Sequence, residues 1–169
     1  KRQERTKVKT FLKSHDVSKG LLAKIKYKGG NILVNGIEQN TIYLLQVGDV
    51  VTIDIPNEEP FEKLEAIPFD LDIVHEDDHF LVINKPVGFA SIPSAIHSNT
   101  IANFIKAYYV ENHYPDQQVH IVTRLDRDTS GLMLFAKHGY AHARLDKQLQ
   151  TRSIEKLSLI HISEPTRLG

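Results

Sequence analysis

Two carboxylates, Asp126 and Asp128, alternate with two guanidiniums, Arg124 and Arg127, in the run Arg-Leu-Asp-Arg-Asp-Thr-Ser-Gly. A carboxylate set between cations stays ionised and can be aimed at a substrate. There it could serve as a nucleophile, as an electrostatic stabiliser of developing positive charge, or as a base. The same spacing fits a solvated charged loop with a salt bridge, and spacing does not separate the two readings.

Chemistry of this kind needs a rigid support, and the flanking residues supply one. The apolar run 132–136, bounded by Gly131 and Lys137, is expected to be a buried strand. Residues 119–122 are expected to form a strand leading in, so the charged residues would occupy a loop held at both ends. Residues 71–74 and 80–83 read as paired strands around the acidic turn 76–78. Helices are expected over 101–109, capped by Asn99 or Thr100, and over 140–149, where Ala141, Leu145 and Leu149 recur every fourth residue. Strand, helix and loop alternate irregularly, which favours an α+β fold with a mixed sheet over a doubly wound one.

The first third of the chain has a different character. Val8, Phe11 and Leu12 share one helical face among lysines. Asp16 and Ser18 are candidate caps for a second helix with an apolar stripe of Leu21, Leu22 and Ile25, stopped by Gly29-Gly30. Ile32 to Ile37 reads as a hairpin around Asn35-Gly36, and Gly48-Asp49 turns into a strand over 50–55. Net charge is zero overall, yet residues 1–28 carry ten Lys and Arg against Glu4 and Asp16, and the remainder compensates with −8. A basic end on an acidic chain suggests contact with a polyanion, although a solvated helix face gives the same composition. Residues 57–70, with Pro60, Pro68 and Glu58-Glu59, read as a linker.

Composition excludes several classes. With 41% hydrophobic residues and no long apolar stretch, the chain is expected to be globular, without a membrane span or secretory signal. It has no cysteine, hence no disulfide framework and no thiolate metal site, and the cytoplasm is the expected compartment. His75-Glu76-Asp77-Asp78-His79 satisfies the zinc-peptidase pattern, but its flanks are strand-like, so the two imidazoles are not expected to converge. His138 and His142 are expected at the surface, and no metal is anticipated.

Arg-Leu-Asp-Arg-Asp-Thr-Ser-Gly-Leu closely resembles the signature of the RluA-type pseudouridine synthases, which isomerise uridine in ribosomal and transfer RNA. Upstream, Glu76-Asp77-Asp78-His79 and Leu81-Val82-Ile83-Asn84-Lys85-Pro86-Val87-Gly88 resemble that family's first block, in the right order. Many members have His where this chain has Thr123. The resemblance implies that Asp126 is the catalytic aspartate and that Arg124 pairs with it or with the RNA backbone. Arg124 and Arg127 become candidates for phosphate or base contacts, Asp128 for ordering the loop through an Asx-type turn, and Asn84 and Lys85 for shaping the floor of the substrate site. No cofactor is implied, because isomerisation adds and removes no group. The nucleotide would have to be flipped out of stacked RNA.

Val34-Asn35-Gly36 and Val47-Gly48-Asp49, after two short helices, resemble the S-four-type RNA-binding domain found ahead of many such synthases. In that family the helix pair presents cations to phosphates, which makes Lys13, Lys19, Lys24 and Lys26 the candidates here. The expected organisation is an S-four-like domain over 1–56, a linker over 57–70, and the N-terminal part of a catalytic domain over 71–156. A monomer is expected. The family continues past Lys156 with a strand carrying a Tyr, whereas 157–169 contains none and reads as a non-native tail on a truncated product. Two other classes are weighed: an RNA-binding fragment without catalysis, and a glycosidase using Asp126 and Asp128, whose residues two apart rarely oppose each other across a substrate.

Overall fold

The computed structural model describes residues 5–58 and 64–158. Thirteen elements follow one another among these residues: β1 (Thr6–Lys7), α1 (Val8–Ser14), α2 (Lys19–Tyr27), β2 (Asn31–Val34), β3 (Ile37–Glu38), β4 (Leu44–Leu45), β5 (Val51–Asp54), β6 (Ile73–Glu76), β7 (Phe80–Lys85), α3 (Ile101–Glu111), β8 (His120–Ile121), β9 (Gly131–Ala136) and α4 (Gly139–Gln150). The mixture is α+β, as expected. Residues 1–4, part of the expected linker (59–63) and most of the expected tail (159–169) lie outside the described residues.

In the first unit, α1 and α2 lie over a three-stranded antiparallel sheet of order β3-β2-β5, with β1 and β4 forming a separate short pair. Val8, Leu12, Leu21 and Ile25 from the helices meet Ile32, Val34 and Leu45 in one apolar core. Ser18 caps α2 by accepting from Leu21 N–H at 3.1 Å. Asp16, the other candidate cap, has a left-handed backbone (φ 66°) and pairs instead with Lys147 on α4. Asn35 and Gly36 both have positive φ (53° and 79°), which gives the two-residue hairpin its turn. The Asn35 side chain then reaches the second turn: its amide donates to Asp49 Oδ1 at 2.8 Å and its carbonyl accepts from Val50 N–H at 2.9 Å.

The second unit is a sheet of order β6-β7-β9-β8, antiparallel at every pairing among the described residues and not mixed as expected, because each neighbouring pair of strands runs in opposite directions. Leu81 and Ile83 of β7 and Met133 and Phe135 of β9 face Ile101, Phe104, Ile105 and Tyr109 of α3 in a second core. Strand alternation governs β9: Met133 and Phe135 are wholly buried, whereas Leu132, expected within a buried run, faces outward and is 61% exposed. Thr100 precedes α3, and its N–H and hydroxyl both donate to Asn103 Oδ1. The Asn103 amide in turn donates to the Glu65 carbonyl, and Phe69 stacks on Phe104 with ring centroids 4.3 Å apart. The described end of the proline-containing segment, 64–70, therefore runs along the sheet's helix.

The units meet at α4. Tyr140 donates to the His15 carbonyl at 2.9 Å and packs against the first core, Lys147 pairs with Asp16, and Lys24 pairs with Glu58 at 2.6 Å.

Behind the sheet, Glu76 accepts from the Tyr108 and Tyr114 hydroxyls and from Lys137 Nζ. Burial alone would raise its carboxyl, but hydrogen bonds from Tyr114, Lys137 and Tyr108 outweigh it and hold Glu76 below the usual glutamate range. A depressed folded value adds stability that is complete above the ordinary glutamate range and is lost as pH falls through the lowered value. Glu76→Ala removes the carboxylate that three donors share, leaving Lys137 with the Asp77 carbonyl alone, and we expect it to destabilise the fold by about 2–4 kcal/mol. Urea unfolding at neutral pH and again at acid pH checks this. The gap between wild type and variant should narrow on acidification.

Candidate active site

The loop between β8 and β9 carries Arg124, Asp126, Arg127 and Asp128, and it is fixed at each step by a named bond. At its start, Val122 N–H donates to the Leu134 carbonyl, while Leu134 N–H donates to Thr123 Oγ1, both at 2.9 Å. Next, the buried Ser91 hydroxyl donates to the Leu125 carbonyl at 2.6 Å and accepts from Leu125 N–H at 3.3 Å. Thr129 N–H then closes a turn onto the Asp126 carbonyl at 3.1 Å. The backbone thus makes the turn that Asp128 was expected to make through its side chain. Asp128 itself is exposed, 3.9 Å from Arg127 Nε.

Lys85 holds this loop from beneath. Its side chain is wholly buried, and Nζ donates to the carbonyls of Pro86, Arg127 and Thr129 at 3.0, 3.1 and 2.8 Å. Burial pushes the ammonium's pKa down, opposed by the charges of Asp128 and Asp126 above it. Gly88 and Arg127 add a reciprocal tie: Gly88 N–H donates to the Arg127 carbonyl at 2.9 Å, and Arg127 Nε donates to the Gly88 carbonyl at 3.2 Å. Gly88 has φ 93°, a conformation that favours glycine.

Asp126 lines an open cleft of about 730 Å³. Arg124, Arg127 and Lys156 line it too, and Ala90, Ile92, Ile121 and Val122 supply apolar wall. Among the described residues no ion pair within 4.0 Å joins Asp126 to either arginine, so the cations share the cleft with the carboxylate without being clamped to it. The cleft as a whole is cationic around one exposed carboxylate.

The structure therefore brings Arg124, Asp126 and Arg127 together and puts Lys85 directly behind them. Asn84 stands apart from the cleft lining, and its amide donates to Asp72 Oδ2 at 2.9 Å. Lys85 cannot touch a cleft ligand, because it has no exposed surface. Of the four lysines singled out on the helices, Lys13, Lys19 and Lys26 are exposed, Lys26 lying 5.3 Å from the Tyr27 ring. Lys24 is already engaged by Glu58.

Sequence reasoning missed Ser91 and Lys156. Ser91 meets Leu125 across 34 positions of sequence, a pairing with no local signal. We expect Ser91→Ala to loosen the loop and to speed tryptic cleavage after Arg124 and Arg127, with a stability loss of about 1–2 kcal/mol. A digestion time course resolves this, and unchanged cleavage would contradict it.

The two histidines of the zinc-like pattern do not share a helical face. His75 Nε2 lies 3.6 Å from Asp77, and His79 Nδ1 lies 3.1 Å from His138 Nε2. His138 and His142, expected at the surface, are partly buried: His138 accepts from Ala141 N–H to cap α4, and His142 stacks on His120.

Comparison with known proteins agrees with the geometry. The family model described as RNA pseudouridylate synthase matches residues 79–167. The chain is 46% identical over 139 residues to the uncharacterized RNA pseudouridine synthase YjbO of Bacillus subtilis, covering 82% of this chain and 49% of that protein. It is 37% identical over 132 residues to the uncharacterized RNA pseudouridine synthase YlyB of the same organism, covering 76% and 43%. To the ribosomal large subunit pseudouridine synthase D of Pseudomonas aeruginosa it is 37% identical, covering 77% and 40%. It spans half or less of the length of these relatives. The matched stretch begins at the turn before β7 and takes in α3, the Ser91 clasp and the whole 122–130 loop, so the cleft around Asp126 lies inside it and the chain belongs to the RNA pseudouridylate synthase family.

Proposed function

We propose that this chain carries the catalytic carboxylate of an enzyme that isomerises uridine to pseudouridine in structured RNA, ribosomal or transfer RNA, and that Asp126 is that carboxylate. The observation that carries the reading is the placement of Asp126: exposed in a cleft rimmed by Arg124, Arg127 and Lys156, on a loop locked from behind. The reaction breaks the bond between ribose C1′ and uracil N1, turns the base, and joins C1′ to C5. The hydrogen on C5 leaves as a proton and N1 gains one, so the atoms balance without a cofactor. An ionised carboxylate beside C1′ can attack it, stabilise an oxocarbenium-like state, or accept the C5 proton.

The target atoms lie within stacked RNA, so the nucleotide must be extruded into the cleft, whose volume falls within the range of small-molecule sites. Arg124 and Arg127 are assigned to phosphate or base contacts there, with Lys156 beside them. Asn84 and Lys85 serve the site indirectly, from the strand and from beneath the loop. The first unit, residues 1–56, is assigned as an S-four-like RNA-binding domain, with Lys13, Lys19 and Lys26 on phosphates and Lys24 acting through its pair with Glu58. Residues 57–70 join it to the synthase domain beginning at 71. A monomer acting in the cytoplasm fits this role. Among the described residues no helix is long and apolar enough to cross a membrane.

The test uses the chain completed to the relatives' length with the remaining half of YjbO, given RNA transcribed with 5-tritiated uridine. Isomerisation predicts tritium released to water in step with the pseudouridine formed. RNA bound without tritium release would instead favour a non-catalytic binding role.

A further inference from the structure

Away from the cleft, three side chains from three segments converge where the first unit meets the sheet. Glu58 follows β5, Asp116 follows α3, and His120 opens β8, and one ligand-type atom from each lies within 4.8 Å of the other two. No spacing motif announces them, because Glu58 is remote in sequence from the other two. The side chains of Glu58 and His120 are only 16% and 12% exposed. His120 Nε2 is buried and lies 2.9 Å from Glu58 Oε2, an ion-pair separation. Two ligand atoms at roughly 3 Å have the separation of neighbours around one ion bound at roughly 2 Å.

Two further features fit a built site. A Cβ at Gly139, the first residue of α4, would come within 2.8 Å of Glu58 Oε1, so the glycine leaves the room that the carboxylate occupies. His142 stacks on the His120 ring at 5.2 Å and fixes its plane. The charges are also uneven. Burial, and then the charge of Glu58, push the Asp116 carboxyl up, while Lys24 pairs with Glu58.

We propose that Glu58, Asp116 and His120 bind a divalent transition-metal ion such as Zn²⁺, through one imidazole nitrogen and two carboxylate oxygens, with water completing the shell. An ion there ties residue 58, and through Lys24 the second helix, to the strand that enters the 122–130 loop. Its role is structural, and it takes no part in the isomerisation proposed above.

The 169-residue chain, stripped with EDTA, is titrated with ZnCl₂ by calorimetry and with Co²⁺ by visible absorption. The expected result is one ion per chain, bound at least about tenfold more weakly by Asp116→Asn and by His120→Gln and equally well by His75→Ala. Circular dichroism verifies that each variant is folded, and Asp116→Asn alone decides if His120→Gln is not. No Zn²⁺ binding tighter than about 1 mM, or binding that Asp116→Asn leaves unchanged, overturns the proposal.

Discussion

Asp126→Asn is expected to abolish isomerisation, by roughly a thousandfold or more, while RNA affinity changes by less than about threefold. Asparagine preserves the shape of the side chain and its accepting oxygen, and removes the charge. Asp126 is exposed, and only its backbone carbonyl is used in holding the turn, where it accepts from Thr129. The loop should therefore keep its form in the variant, and a loss of rate with retained binding reports chemistry alone. The variant belongs in the version completed to the relatives' length, assayed beside wild type at matched RNA occupancy. Turnover within tenfold of wild type would remove Asp126 from the catalytic role.

The second large effect is expected at Lys85. Lys85→Met keeps the side chain's length and apolar stem but leaves the carbonyls of Pro86 and Thr129 without this donor and the Arg127 carbonyl with Gly88 N–H alone. Leaving buried acceptors unpaired costs about 1–3 kcal/mol for each group at most, offset partly by no longer burying an ammonium. A net loss of about 2–4 kcal/mol is expected, read as a lower urea midpoint with an unchanged slope. The Gly88–Arg127 tie shares the load, so the loop should detach before the sheet does. Faster tryptic cleavage at Arg127 should accompany the stability loss. A midpoint indistinguishable from wild type would mean that water replaces the ammonium at no cost.

Much of the fold was legible because its signals are local. Ser18, Thr100, Asn35-Gly36 and the alternating residues of β7 and β9 each express a cap, a turn or a strand period within a few positions. The two-residue strands β1 and β4 are too short to show a period and were not anticipated. Asp16 looked like a cap because its type and position suited one, but α4, far along the chain, took its carboxylate.

The site divides in the same way. The Arg-Leu-Asp-Arg-Asp run showed where the charged loop is, and the loop does line a cleft. What holds it was not legible: Ser91 to Leu125, Lys85 to Thr129 and Gly88 to Arg127 are pairings across 34 to 44 positions that only the folded chain creates. Lysine is a poor candidate for complete burial from its type alone, and three carbonyl acceptors are what permit it at position 85. Lys24 showed the reverse, a cation that looked free for RNA and is engaged by Glu58.

The most direct test is a crystal structure of the completed protein with a short RNA hairpin carrying its target uridine, using the Asp126→Asn variant to stall the reaction. The account predicts that uridine turned out of the helix and seated between Arg124 and Arg127, with the residue 126 side chain within about 3–3.5 Å of ribose C1′. A uridine still stacked in the helix, or one seated with residue 126 facing away from its ribose, would contradict it.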